Sequence, residues 1–103
     1  MTINNTEHIK ILNCIFEIEK KITENDTTIK RNIDRIKNTF EELGLKYHNP
    51  IGENYSETRT DCEASISGDL SSKLKIINVV KPIIYAKSDH GYSIIQRAVV
   101  VVG

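Results

Sequence analysis

Three histidines, two cysteines and an acidic cluster are the groups in this 103-residue chain that could carry out chemistry. His8, His48 and His90 are far apart, and neither Cys14 nor Cys62 falls two to four positions from a histidine. A structural zinc site needs such spacing, so the histidines read as solvated and no metal or cofactor is expected. Glu53, Glu57, Asp61 and Glu63 gather around Arg59. Paired carboxylates can act as general acid and base, but these lie in an expected loop without an evident pocket and read as a solvated face. A nucleophilic Cys62 would need a cation beside it to favour the thiolate, and its immediate neighbours supply none. Five dispersed glycines form no phosphate-cradling G-x-G-x-x-G. The expectation is a protein without catalytic residues, not an enzyme.

Charge narrows the partners. Fourteen basic residues balance fourteen acidic ones, with eight of each sign in residues 1–47 and six of each in 48–103. No basic stripe is available for phosphates, so nucleic acid is not expected. The longest apolar run, Ala98 to Val102, is far too short to cross a bilayer. "MTINNTEHIK" lacks a basic start followed by an apolar stretch, so no secretory signal is read. The sequons at Asn4, Asn25 and Asn54 then carry little meaning. Two cysteines do not make a disulfide framework. Cys14 reads as a small buried apolar residue, Cys62 as uncommitted, and the setting as reduced and cytoplasmic.

The elements that must position these groups change character at Gly44. Before it the apolar spacing is helical, and there is no proline or other glycine. Gly44 fits a helix stop, with Pro50 beyond it. Ile11, Ile15, Ile18 and Ile22 follow a 4-3-4 spacing. With Leu12, Phe16 and Cys14 they spread over about 200° of a helical wheel. Ile29, Ile33, Ile36, Phe40 and Leu43 form a second, narrower stripe of about 80°. Between them "TENDTT" collects weak helix formers and good N-caps. Two readings stand. In the favoured one a turn at Asn25–Thr28 makes an antiparallel hairpin. In the other one helix runs from about Thr6 to Leu43, because Ile15, Ile22, Ile29, Ile36 and Leu43 keep a sevenfold register through the patch.

A 200° apolar arc is too wide for one neighbouring helix to cover. A second copy would supply the missing faces as a four-helix bundle. Its interface would use Ile11, Leu12, Ile15, Phe16, Ile18 and Ile22 from the first stripe. Ile29, Ile33, Ile36 and Phe40 would come from the second. The alternative cover is the chain's own second half. After Gly44, "NPIG", "SGD", "KP" and "DHG" punctuate β-branched runs. Strands are expected at about Asp61–Ser67, Lys73–Val80, Ile83–Lys87 and Ser93–Val102, with a hairpin turn in "KSDHGY". The fold class is α+β: a dimerising helical segment over 1–45, then a small, mostly β domain over 46–103.

In this order the segments resemble the GrpE-type nucleotide exchange factors of DnaK-like chaperones. "ILNCIFEIEKKI" and "IKRNIDRIKNTFEELGL" resemble the family's two bundle helices, with Gly44–Leu45 as the closing pair. "NPIGENY" and "CEA" resemble the start of its β domain, and "PIIYAKSDHGY" followed by "RAVVVV" its ending. The likeness implies a homodimer whose β domain binds the ATPase domain of a DnaK-type chaperone and promotes ADP release. It points to His90, Gly91, Tyr92, Gln96, Arg97 and Val102 as chaperone contacts. Several family features have no counterpart: the long paired stalk helix, the usual longer link between bundle helices, and a Gly-Arg pair before the last strand. Those departures keep a second reading open, a structural or adaptor homodimer with the fold but without exchange activity.

Overall fold

A computed structural model describes residues 5–68 and 73–103. Asn4 of the first sequon and Asp69 of the "SGD" turn lie outside the described residues. The order is α1 (Asn5–Lys21), α2 (Thr27–Glu42), β1 (Leu45–His48), β2 (Asn54–Tyr55), β3 (Cys62–Ile66), β4 (Leu74–Lys81), β5 (Ile83–Ser88), β6 (Gly91–Gln96) and β7 (Ala98–Val102). The fold is α+β, with two helices preceding a β-rich part of two sheets. The chain divides into two compact units, Met1–Lys46 and Tyr47–Gly103.

In the first unit the polar patch is a turn, not a helix: five residues, 22–26, separate α1 from α2. Asp26 explains the break. Its backbone carbonyl accepts the first α2 bond from the Lys30 N–H, at 2.9 Å. Its carboxylate accepts from both the N–H and the hydroxyl of Thr23, each at 3.1 Å. Short polar side chains offer the backbone such local alternatives to a continuing helix. Across the hairpin Lys37 donates to Glu19 at 3.2 Å, and the His8 ring meets Phe40 edge-on at 5.5 Å between centroids. The α2 helix ends as expected at Gly44, whose φ of +86° lies in the left-handed region that favours glycine.

Burial splits each apolar stripe. Leu12, Ile15 and Phe16 on α1 and Ile33 and Phe40 on α2 are buried, and Ile22 is half-buried. Ile11, Ile18, Ile29, Ile36 and Leu43 stay 40–54% exposed. Cys14 is also exposed, which corrects its reading as a buried residue. It projects from the side of α1 that carries Ile11 and Ile18, three and four positions away on the helix.

The second unit builds on two sheets, one ordered β2-β4-β7-β3 and the other β1-β5-β6. The β1 strand straddles the border between units, with Tyr47 and His48 belonging to the second. The β7 strand pairs with β3 in parallel and with β4 antiparallel. It alternates, with Ala98, Val100 and Val102 buried and Val99 and Val101 half-buried. Ile76, Val79, Ile83 and Ile84 join the buried set. Ser93–Val102 is not one strand: the chain leaves one sheet as β6 and enters the other as β7, turning at Arg97. A matching corner at Pro82 separates β4 from β5. The two corners are tied together, because the Gln96 amide donates to the Pro82 carbonyl at 2.9 Å.

Candidate functional site

Two surfaces and one charged cluster have the makings of function, and each lies within a single unit. The cluster holds the carboxylates whose type allows acid–base work. Arg59 donates through Nε to Asp61 Oδ1 at 2.7 Å and through one terminal nitrogen to Glu53 Oε1 at 2.8 Å. Its other terminal nitrogen donates to the Asn54 carbonyl at 2.9 Å. His48, at the end of β1, hydrogen-bonds the second oxygen of Glu53. Hydrogen bonds from Arg59 hold the Asp61 carboxyl below its ordinary value despite its partial burial. Partial burial pushes Glu53 up, but hydrogen bonds and charge from His48 and Arg59 outweigh it and leave Glu53 lowered. Both carboxylates are therefore ionised partners of a guanidinium, a poor basis for proton transfer near neutral pH.

Glu57 is not part of the cluster, and Glu63 pairs instead with Arg97 at 3.3 Å. Burial first, then the Asp61 charge, pushes the Cys62 thiol up to about 11, far from the thiolate a nucleophile requires. What the cluster can do is mechanical: it pins the segment 49–61, which carries β2, between β1 and β3. Among the described residues, no group of three or more His, Cys, Asp or Glu side chains is placed to hold a metal. Among the same residues, no helix is long and apolar enough to cross a membrane.

The first surface is the β5–β6 hairpin. Its tip, Asp89–His90, leads into Gly91, whose φ of +101° lies in the left-handed region. Ser88 fastens the turn: its hydroxyl donates to the Gly91 carbonyl at 3.2 Å. His90, Gly91 and Tyr92 are exposed together there, and Ile94 extends the exposed strand. Three of the six expected contacts thus share one surface. The other three do not join it. Gln96 is half-buried on Pro82, and Arg97 donates to the Cys62 carbonyl at 2.7 Å and to Glu63. Val102 is 0% exposed, so it is corrected from a contact to a core residue: its side chain lies on the buried face of β7.

Sequence reasoning missed two exposed side chains in the other sheet. The β4 register against β7 slips between Ile76 and Asn78 and again between Val79 and Lys81. The extra residues at the slips, Ile77 and Val80, are exposed, as expected of bulges that re-aim a side chain. The signal was present in "KIINVVK", where doubled apolar pairs break the strand period of two.

The second surface is the ridge on the helical unit. Ile11 and Ile18 repeat at seven on α1, and Ile29 and Ile36 on α2 carry the same spacing on to Leu43, its C-cap. Of the ten residues expected at a dimer interface, Ile11, Ile18, Ile29 and Ile36 lie on this exposed side. Leu12, Ile15, Phe16, Ile33 and Phe40 are buried, and Ile22 is intermediate. Compared with protein-family models, curated proteins and solved structures, the chain finds no match.

Proposed function

We propose that the protein is a GrpE-like cochaperone, a homodimer joined through its helical unit whose β unit promotes ADP release from a DnaK-type chaperone. The observation that carries the reading is the exposed sevenfold ridge on both helices of a hairpin that precedes a separate β unit. Each of its isoleucines gains roughly 1–2 kcal/mol when a second copy covers it, discounting full burial for the part already shielded. The segment order that resembles the family places the hairpin and the β unit in the same succession. Its contact surface on this chain is His90, Gly91 and Tyr92 at the hairpin tip.

The activity is allosteric. A β unit that binds the open ATPase domain more tightly than the ADP-holding form weakens ADP, and ADP weakens the cochaperone by the same factor. Stopped-flow release of labelled ADP from the DnaK-type protein of the same source tests this. A rate that rises and saturates with added protein is expected, and no acceleration at saturating protein counts decisively against exchange activity.

One observation favours the second reading, an adaptor homodimer without exchange activity. Gln96 and Arg97 spend their polar groups on backbone carbonyls inside the β unit. In that case chaperone binding, exchange acceleration or both are absent while the two-chain mass remains.

A further inference from the structure

We propose that the hairpin is an exchangeable element: two copies open at the 22–26 turn, and the α1 of each packs on the α2 of the other. The inference rests on the homodimer reading and specifies how the chains pair.

Three features support it. First, Ile15, Ile22, Ile29, Ile36 and Leu43 hold one sevenfold register, which a single helix would align as one seam. The hairpin cuts that seam, leaving Ile15 buried and Ile29, Ile36 and Leu43 exposed. Second, the turn has nothing that forbids a helix. It contains no glycine or proline, and no non-glycine residue among those described has positive φ. Its clasp is the Thr23–Asp26 pair, and the Asp26 carboxylate makes no capping bond to α2. Third, a hollow of about 280 Å³ lies beside the turn, lined by Glu19, Ile22, Lys30, Ile33 and Asp34. The two helices leave an open groove there, at the end of the hairpin where it would part.

Exchange is inexpensive because the helix–helix contacts return in trans. The Glu19–Lys37 pair and the His8–Phe40 ring contact would each be remade between chains. The open form gives up the Thr23–Asp26 clasp and gains burial of the continuous seam next to the hinge. A second copy is the fitting occupant because only an identical chain supplies the α1 and α2 contacts that each opened hairpin gives up.

The test is a pulsed dipolar measurement with spin labels at the exposed positions Lys10 and Asn38, in a Cys14→Ser background with Cys62 left buried. Labelled chain is diluted into excess unlabelled chain, so that only distances within one chain register. A continuous helix over that separation of 28 positions gives about 42 Å, whereas packed antiparallel helices give less than about 25 Å. A two-chain mass with a 42 Å population that grows with concentration is expected. Thr23→Ala/Asn25→Ala/Asp26→Ala should enlarge that population about fivefold, and two glycines inserted after Glu24 should remove it. A two-chain mass with only the short distance, in the wild-type turn and the alanine variant alike, overturns the exchange and leaves the hairpin dimer standing. A one-chain mass at every concentration, whatever the distance, overturns both.

Discussion

The helical and β units contain the same kinds of apolar side chain and treat them differently. In the β unit Ile76, Val79, Ile83, Ile84, Ala98, Val100 and Val102 are all at most 2% exposed. Among the described residues, no buried side-chain nitrogen or oxygen lacks a hydrogen bond. The helical unit keeps Ile33 inside while Ile29 and Ile36, on the same helix, remain outside. The β unit closes an interior of its own while Ile51, Ile66, Ile77, Val80 and Ile94 stay exposed around it. The exposed apolar residues of the helical unit instead recur at sevens along its helices, a pattern that a second chain can cover. Stability should therefore be a property of the single chain in the first case and of concentration in the second.

The largest expected effect comes from making one substitution in both places. Ile83→Ala, at a wholly buried position, should cost about 3 kcal/mol, read as a loss of denaturation midpoint that is independent of protein concentration. Ile36→Ala should cost the single chain less than about 0.5 kcal/mol, with any larger loss appearing only where the wild type is dimeric. Equal, concentration-independent losses at both sites would erase the contrast.

A charge sharpens the comparison further. Ile18→Asp puts a carboxylate on a half-exposed position of α1, where the single chain can solvate it. Light scattering should then give a one-chain mass at concentrations where the wild type gives two, with the β unit's thermal transition unmoved. A desolvated carboxylate costs several kcal/mol, so dimer affinity should fall at least about a hundredfold. A variant that keeps the two-chain mass would place the interface elsewhere.

The charged cluster predicts a smaller effect that depends on pH. Arg59→Ala removes the cation that lowers Asp61 and helps to lower Glu53. Carboxyls depressed in the folded state add stability above their unfolded values, and that stability is lost as pH falls through the folded values. The wild type should exceed the variant by about 1–2 kcal/mol near pH 7, allowing for solvent screening. The gap should narrow as pH drops below about 4. A gap of constant size down to acid pH would mean that Arg59 acts by packing alone.

What could be read from the sequence follows the same division. The hairpin, the stop at Gly44 and the turn before Tyr92 were legible because each has a local cause: a polar patch, a left-handed glycine, a tight β turn. The two short strands β1 and β2 were not, because Leu45–His48 and Asn54–Tyr55 are too brief to show a period. The corner at Arg97 escaped for another reason. "YSIIQRAVVVV" has no glycine or proline to mark a break, and the break is made by side chains reaching distant partners, Gln96 to Pro82 and Arg97 to Cys62. Long-range hydrogen bonds of that kind leave no local pattern. The same gap cost the site two of its expected contacts. Val102 was lost because its inward or outward direction depends on pairing register.

The hairpin tip gives the mildest test and the one closest to the proposed contact. Gly91 sits at φ +101°, and a Cβ there would meet nothing within 4 Å. Gly91→Ala therefore costs only what the backbone charges for a side chain in that region, about 1 kcal/mol. Because β5 and β6 pair through five rungs down to Ser88–Gly91, that cost should fall on the tip and fade toward Ile84–Gln96. Amide exchange should show it as roughly fivefold faster opening at Tyr92 and Ser93, with rates at Val100 and Val102 unchanged. If Gly91→Ala also weakens acceleration of ADP release while the mass stays at two chains, the tip contributes to chaperone contact. If it speeds exchange at Val100 as much as at Tyr92, the hairpin is part of the core, and the division between a closed β interior and a presented tip fails.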